Sequence, residues 1–169
     1  MQRFRWFVLF ALVVAFAFPY SIAAQDDKAE AHKQTIIRIV EEGFNQGNLD
    51  VIDELLAPDY VSYHYGKKGD SESFKGYISA VRAAMPDYEA KADMFVAEGD
   101  WLAFRFWGSG TFENEFALFP DLTPTGEKVE DIVHIFVRFN EDGQLVEEWD
   151  LVHELRWLTQ LGVIPPMGE

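Results

Sequence analysis

Two hydrophobic periods divide the chain. Between Ile36 and Ala84 apolar residues recur every three to four positions, and from Tyr88 to Val152 they alternate. In the first part Ile36, Ile37, Val40 and Phe44 fall on one helical face, and Gly47 stops it. Residues 49–56 predict a second, short helix closed by Ala57-Pro58-Asp59, and the aromatic run 60–65 predicts a strand. Asp70 or Ser71 caps a third helix with Phe74, Ile78, Val81 and Ala84 on one face, and Pro86 terminates it. Residues 88–98 and 101–112 read as strands joined at Gly99-Asp100. Residues 129–139 and 144–152 form a last hairpin, and a short helix runs from there toward Gly162. Helices followed by an antiparallel sheet give an α+β domain with the helices on one face.

The last hairpin can be read in finer detail. Asn140-Glu141-Asp142-Gly143 fits a three-residue loop with Gly143 in the left-handed region. Carried along both strands, that register sets His134 opposite Asp150. Val133, Ile135, Val137 and Phe139 then lie with Leu145, Trp149 and Leu151 on an apolar face. Ile132, His134, Phe136 and Arg138 lie with Val146, Glu148, Asp150 and Val152 on the other. The second face mixes apolar and ionisable groups, which suits a lined pocket better than a core. A slip of one residue would destroy this sorting.

Residues 113–128 form a long loop carrying Phe116, Leu118 and Phe119. A solvated connector has no use for them, so the loop is expected to close over the pocket mouth or against a second subunit.

The N-terminus changes the compartment. Arg3 and Arg5 precede an apolar run from Trp6 to Phe18, Pro19 breaks it, and Ser21-Ile22-Ala23-Ala24 offers small residues for cleavage after Ala23 or Ala24. Residues 1–24 are thus expected to be a signal peptide and 25–169 a single exported domain, periplasmic or secreted. The run is short for a bilayer span, so no stable membrane insertion is expected after cleavage. There are no cysteines, hence no disulfide framework and no lipidated cysteine. With 29 Asp+Glu against 14 Lys+Arg and a net charge of −15, the chain repels phosphate backbones and argues against nucleic acid.

Asp150, set among Trp149, Leu151 and Val152, is costly to bury unless paired or used. With His134 it forms a candidate acid/base pair, or else a satisfied cross-strand hydrogen bond. His64 and His153 are further members of the candidate site, with Phe136 and Glu148 on the same mixed face. Arg105 and Trp107 supply either a polar anchor and an aromatic wall or a surface stripe. The histidine spacings match no zinc signature, so no metal is expected. There is no nucleophile elbow and no phosphate loop.

An ordered set of pieces carries a resemblance. They are Gly43-Phe44-Asn45-Gln46-Gly47-Asn48-Leu49-Asp50, Asp59-Tyr60-Val61-Ser62-Tyr63-His64, Pro86-Asp87, Gly110-Thr111, Pro124-Thr125-Gly126, Asp142 through Asp150, and Gln160-Leu161-Gly162. Together they resemble the SnoaL-like polyketide cyclases, or ester cyclases, of the nuclear transport factor 2-like fold. The resemblance implies a cone of curved antiparallel sheet closed by helices around a ligand pocket. It implies ring closure by aldol condensation of a polyketide ester, an aspartate acid/base placed at Asp150, a histidine near His134, and no cofactor. Phe112 stands where members often carry histidine after the Gly-Thr step, and His153 where they often carry a second aspartate. The ligand expected is a small apolar carbonyl compound. A non-catalytic binding module and a homodimerising interaction domain with a vestigial pocket remain the alternatives.

Overall fold

A computed structural model describes residues 25–64 and 66–165. The expected leader, residues 1–24, lies outside them. Residues 25–38 are α-helical and continue into a π-helical stretch, Ile39–Asn45, the two together forming α1. Arg82 ends α1 by donating to the Phe44 and Asn45 carbonyls at 2.6 and 2.7 Å, and Gly47 turns the chain at φ 74°. The helix α2 (Asp50–Leu55) runs directly into β1 (Leu56–His64). A short β2 (Lys67–Gly69) precedes α3 (Ser71–Ala84), whose N-cap Asp70 accepts from the Ser73 amide at 2.9 Å. Then follow β3 (Glu89–Glu98), β4 (Trp101–Thr111), β5 (Lys128–Phe139), β6 (Leu145–Val152) and α4 (Glu154–Gln160).

The six strands make one sheet in the order β2-β1-β6-β5-β4-β3. The α+β expectation holds, with one difference: β1 runs parallel to β6, whereas every other neighbour pair is antiparallel. The register of β1 shifts between Leu56 and Val61, that of β3 between Asp93 and Val96 with Met94 at φ 58°, and that of β6 at Val146. Each irregularity bends its strand, and together they curl the sheet around α1 and α3. Ile36, Val40, Phe44, Ile78, Phe104 and Phe106 belong to the core between the layers.

Several of the quoted motif pieces turn out to be fold chemistry. The Asn45 side chain bonds both the amide and the carbonyl of Ala90, as a neighbouring strand would. Asp87 accepts from the Thr111 amide and hydroxyl at 2.6 and 2.7 Å, so Pro86-Asp87 and Gly110-Thr111 form one unit. The Gln160 amide pairs with the Glu130 backbone in both directions at 2.9 Å and seals α4 onto β5.

The hairpin register requires a correction. The loop is as expected, with Gly143 at φ 77° and Phe139 facing Leu145. Val146 is then an extra residue on β6, so Arg138 faces Glu147 and Ile135, not His134, faces Asp150. The bulge flips β6 but not β5 relative to the expected faces. Val133, Ile135 and Val137 share the inner face with Glu148, Asp150 and Val152, and His134 lies outside opposite Leu151.

The long loop does not close over the pocket mouth, the first of its two expected positions. Phe116 is fully buried, and with Phe119 it packs edge-on against Trp157 of α4. The amides of Glu113 and Asn114 bond the Ala84 carbonyl at the end of α3. Among the described residues no member of this loop lines the cavity.

Candidate active site

Period-two alternation along β1 turns Tyr60, Ser62 and His64 inward. The parallel pairing sets Ser62 beside Glu148 and Tyr63 beside Trp149. One step further, His64 reaches Asp150, with Nδ1 at 2.6 Å from Oδ2. The side chain of Asp150 is 14% exposed and that of His64 43%, so the carboxyl lies inside and the imidazole at the opening.

The pair borders a cavity of about 260 Å³. Phe44, Phe74, Phe104, Phe106, Val133 and Ile135 supply apolar wall, and Asp131, Glu148 and Asp150 project into the same space. Lys67 and Lys68 of β2 stand at its edge.

Charge is unevenly matched here. Glu148 is buried and accepts from the Tyr60 hydroxyl at 2.8 Å. Burial pushes its carboxyl up to about 7, against the help of Tyr60, and nearby Asp150 adds to the rise. Burial likewise raises Asp131 to about 6. The Tyr60 phenol is pushed far up by burial and by Glu148. Burial pulls the His64 imidazole down, but the hydrogen bond and charge of Asp150, with Glu148 and Asp131 behind, leave it raised overall. His64 thus pairs with Asp150, and its charge also favours the ionised forms of Glu148 and Asp131. Oδ1 of Asp150 is buried and meets no donor among the described residues, which is the position of a carboxylate oxygen available to a ligand proton.

The expected site residues divide between two faces of the sheet. Asp150, Glu148 and His64 come together in the cavity. His134 does not: it is exposed on the outer face, its ring 5.3 Å from that of His153. The expected pairing of His134 with Asp150 is thereby corrected to His64 with Asp150. Trp107 is also outside, beneath Lys91 with Nζ 4.8 Å from its ring centre. Phe136 is 55% exposed on that face, and Phe119 belongs to the Trp157 cluster. Tyr60, Ser62, Tyr77 and Asp131 were missed. The alternation Tyr60, Ser62, His64 and the in-phase series Asp131, Val133, Ile135 were the available signals. No group of three or more potential ligands suited to a metal ion occurs among the described residues.

The family model of SnoaL-like polyketide cyclases matches residues 34–161. No curated protein sequence matches the chain. Among solved structures, IdmH of Streptomyces antibioticus, a proposed polyketide cyclase, is 30% identical with a TM-score of 0.66, over 78% of this chain and 98% of that one. AclR of Streptomyces galilaeus, a proposed hydroxylase, is 26% identical with a TM-score of 0.71, over 82% and 85%. A SnoaL-like protein of Jannaschia sp. CCS1 is similar in fold, at 20% identity with a TM-score of 0.68, over 80% and 94%.

Proposed function

The chain belongs to the SnoaL-like polyketide cyclase family, and from that premise we propose that it performs acid/base chemistry on a small apolar carbonyl compound held in the cavity, with Asp150 as the acid/base and His64 as its partner. The observation that carries this is the 2.6 Å contact of His64 Nδ1 with Asp150 Oδ2, made while Oδ1 of the same carboxyl stays buried and unpaired. His64 fixes one carboxylate oxygen and leaves the other to work. Oδ1 takes a proton from the carbon beside the carbonyl, and the C–H electron pair passes to a new carbon–carbon bond or to an enolate. The same proton then returns to the oxygen that has gained charge, so no net proton is consumed. The apolar walls exclude water and keep that oxygen in a low-dielectric setting.

The test begins with native mass spectrometry of ligand retained by the purified protein. With that compound or its precursor, Asp150→Asn is expected to keep binding and to lose about 10²–10⁴ in rate. Equal turnover in the variant would remove Asp150 from the mechanism. Retention of an unaltered ligand, with no turnover in the unmutated protein, would leave a binding module.

The proposal includes export. N-terminal sequencing of protein recovered outside the cytoplasm is expected to begin at Ala24 or Gln25, as the run ending Ser21-Ile22-Ala23-Ala24 implies. A product retaining Met1 and confined to the cytoplasm would sink it.

A further inference from the structure

Asp131 has no role in the chemistry above, yet its placement is that of a binding group. It lies on the inner face of β5 in phase with Val133 and Ile135, is 6% exposed, and lines the cavity. Tyr77, on α3 and also a cavity residue, donates a hydrogen bond to it. The other oxygen, Oδ1, is buried and meets no partner among the described residues. Across the sheet Asp131 faces Gly108, and the Tyr88 hydroxyl occupies the space where a Cβ on Gly108 would stand, 1.8 Å from it. That hydroxyl is also buried and meets no partner among the described residues. Buried polar groups of this kind are costly unless a ligand or water completes them. No lysine or arginine forms an ion pair with Asp131 among the described residues.

The position along the strand matters. Ile135 faces Asp150, and Asp131 lies four residues away on β5, roughly 13 Å of strand. After the reach of two side chains, that leaves a span of about two fused rings.

We propose that Asp131 is a second polar station of the cavity, a carboxylic acid whose Oδ1–H donates a hydrogen bond to a carbonyl oxygen at the end of the ligand remote from His64 and Asp150. The ligand class is thereby narrowed to a flat apolar body with oxygen functions at both ends. This rests on reading the cavity as a site for carbonyl compounds. Burial, which pushes this carboxyl up to about 6, favours the protonated donor in mildly acidic solution.

The test uses three probes on the mature protein: tetralin, α-tetralone, and a bicyclic diketone with its carbonyls on opposite rings. Affinities are measured by titration calorimetry at about pH 5 and about pH 8. In the unmutated protein the diketone is expected to bind about tenfold more tightly than α-tetralone at the lower pH. That advantage should shrink at the higher pH, where the donor proton is lost. Asp131→Leu should bring the two ketones within about twofold while leaving α-tetralone itself bound. Asp131→Asn, closest in shape and still a donor, should keep an advantage that no longer varies with pH, and it decides the matter if the leucine variant does not fold. A diketone advantage that is absent, or insensitive both to pH and to Asp131→Leu, overturns the inference while the His64–Asp150 reading stands. If neither ketone binds better than tetralin, both readings fall.

Discussion

The two faces of the central hairpin are built from the same strands, residue by alternate residue, and handle charge in opposite ways. On the outer face two ion pairs join directly opposed residues of neighbouring strands. Arg105 holds Asp93 through two bonds of 2.8 and 2.7 Å, and Arg138 holds Glu147 at 2.9 and 2.8 Å. Both are directly opposed pairs. Aromatic planes fill the rest, with Tyr63 stacked on Trp149 at 4.0 Å and Lys91 over Trp107. Arg105 keeps Asp93 below the usual carboxylate range, and hydrogen bonds from Trp149 and Arg138 do the same for Glu147. On the inner face His64 pairs with Asp150, and burial lifts Asp131 and Glu148 instead. Matched charge stabilises a surface modestly, whereas unmatched charge under apolar cover shifts proton affinity, which is what acid/base chemistry requires.

The largest effect expected from this contrast comes from two histidines one strand-face apart. His64→Ala should lower turnover of the identified ligand by about 10²-fold or more, because it frees the Asp150 carboxyl that it holds. His134→Ala should change turnover by less than about twofold, since His134 is exposed on the outer face and its ring neighbour is His153. Steady-state rates of the two variants decide it. A loss in the His134 variant equal to that in the His64 variant would dissolve the distinction between the faces.

That pair of variants also marks what the sequence could and could not convey. The α+β order, the capped α3, the Gly143 loop and the acid at position 150 were all legible, because turn chemistry and periodicity are local. The partner of Asp150 was not. Loop geometry alone carries His134 to Asp150, and a single extra residue at Val146 shifts the register by one and turns β6 over. A residue buried at the bulge leaves no strong local mark, since valine suits either face. His64 reaches the site through a parallel pairing between strands more than eighty residues apart, and such contacts have no local signature at all. Three of the motif residues serve the fold rather than the chemistry. Asn45, Asp87 and Gln160 bind backbone and hold elements together, so they identify the fold without identifying the reaction.

A second contrast appears in the dependence of stability on pH. Glu148 is an acid whose folded-state value, about 7, exceeds its ordinary value of 4.5. The folded protein then binds the proton more tightly than the unfolded chain, so stability falls as pH rises from about 4.5 to about 7 and levels off above. Glu148→Gln retains an oxygen for the Tyr60 hydroxyl and carries no charge. It should therefore gain about 1–3 kcal/mol over the unmutated protein at about pH 8 and little at about pH 4. Denaturant unfolding at the two values measures the difference. A parallel pH slope in both proteins would show that Glu148 is not the group responsible.

The smallest effect belongs to the outer face and is informative because it is small. Arg138→Ala removes two bonds to Glu147 and the approach of its guanidinium to Trp101, 5.9 Å from the ring centre. The Arg138 side chain is 41% exposed and that of Glu147 20%, so solvent screens much of the attraction and the loss should be about 0–1 kcal/mol. The sign of its pH dependence is opposite to that of Glu148. A depressed carboxylate contributes stability above its unfolded value that is lost as pH falls, so the cost of Arg138→Ala should fade on acidification. It should fade with added salt as well. Thermal unfolding of both proteins across pH and salt reads all three quantities. A loss of several kcal/mol that persists in high salt would mean that the outer face also holds charge under cover, and the division of labour between the faces would then have to be abandoned.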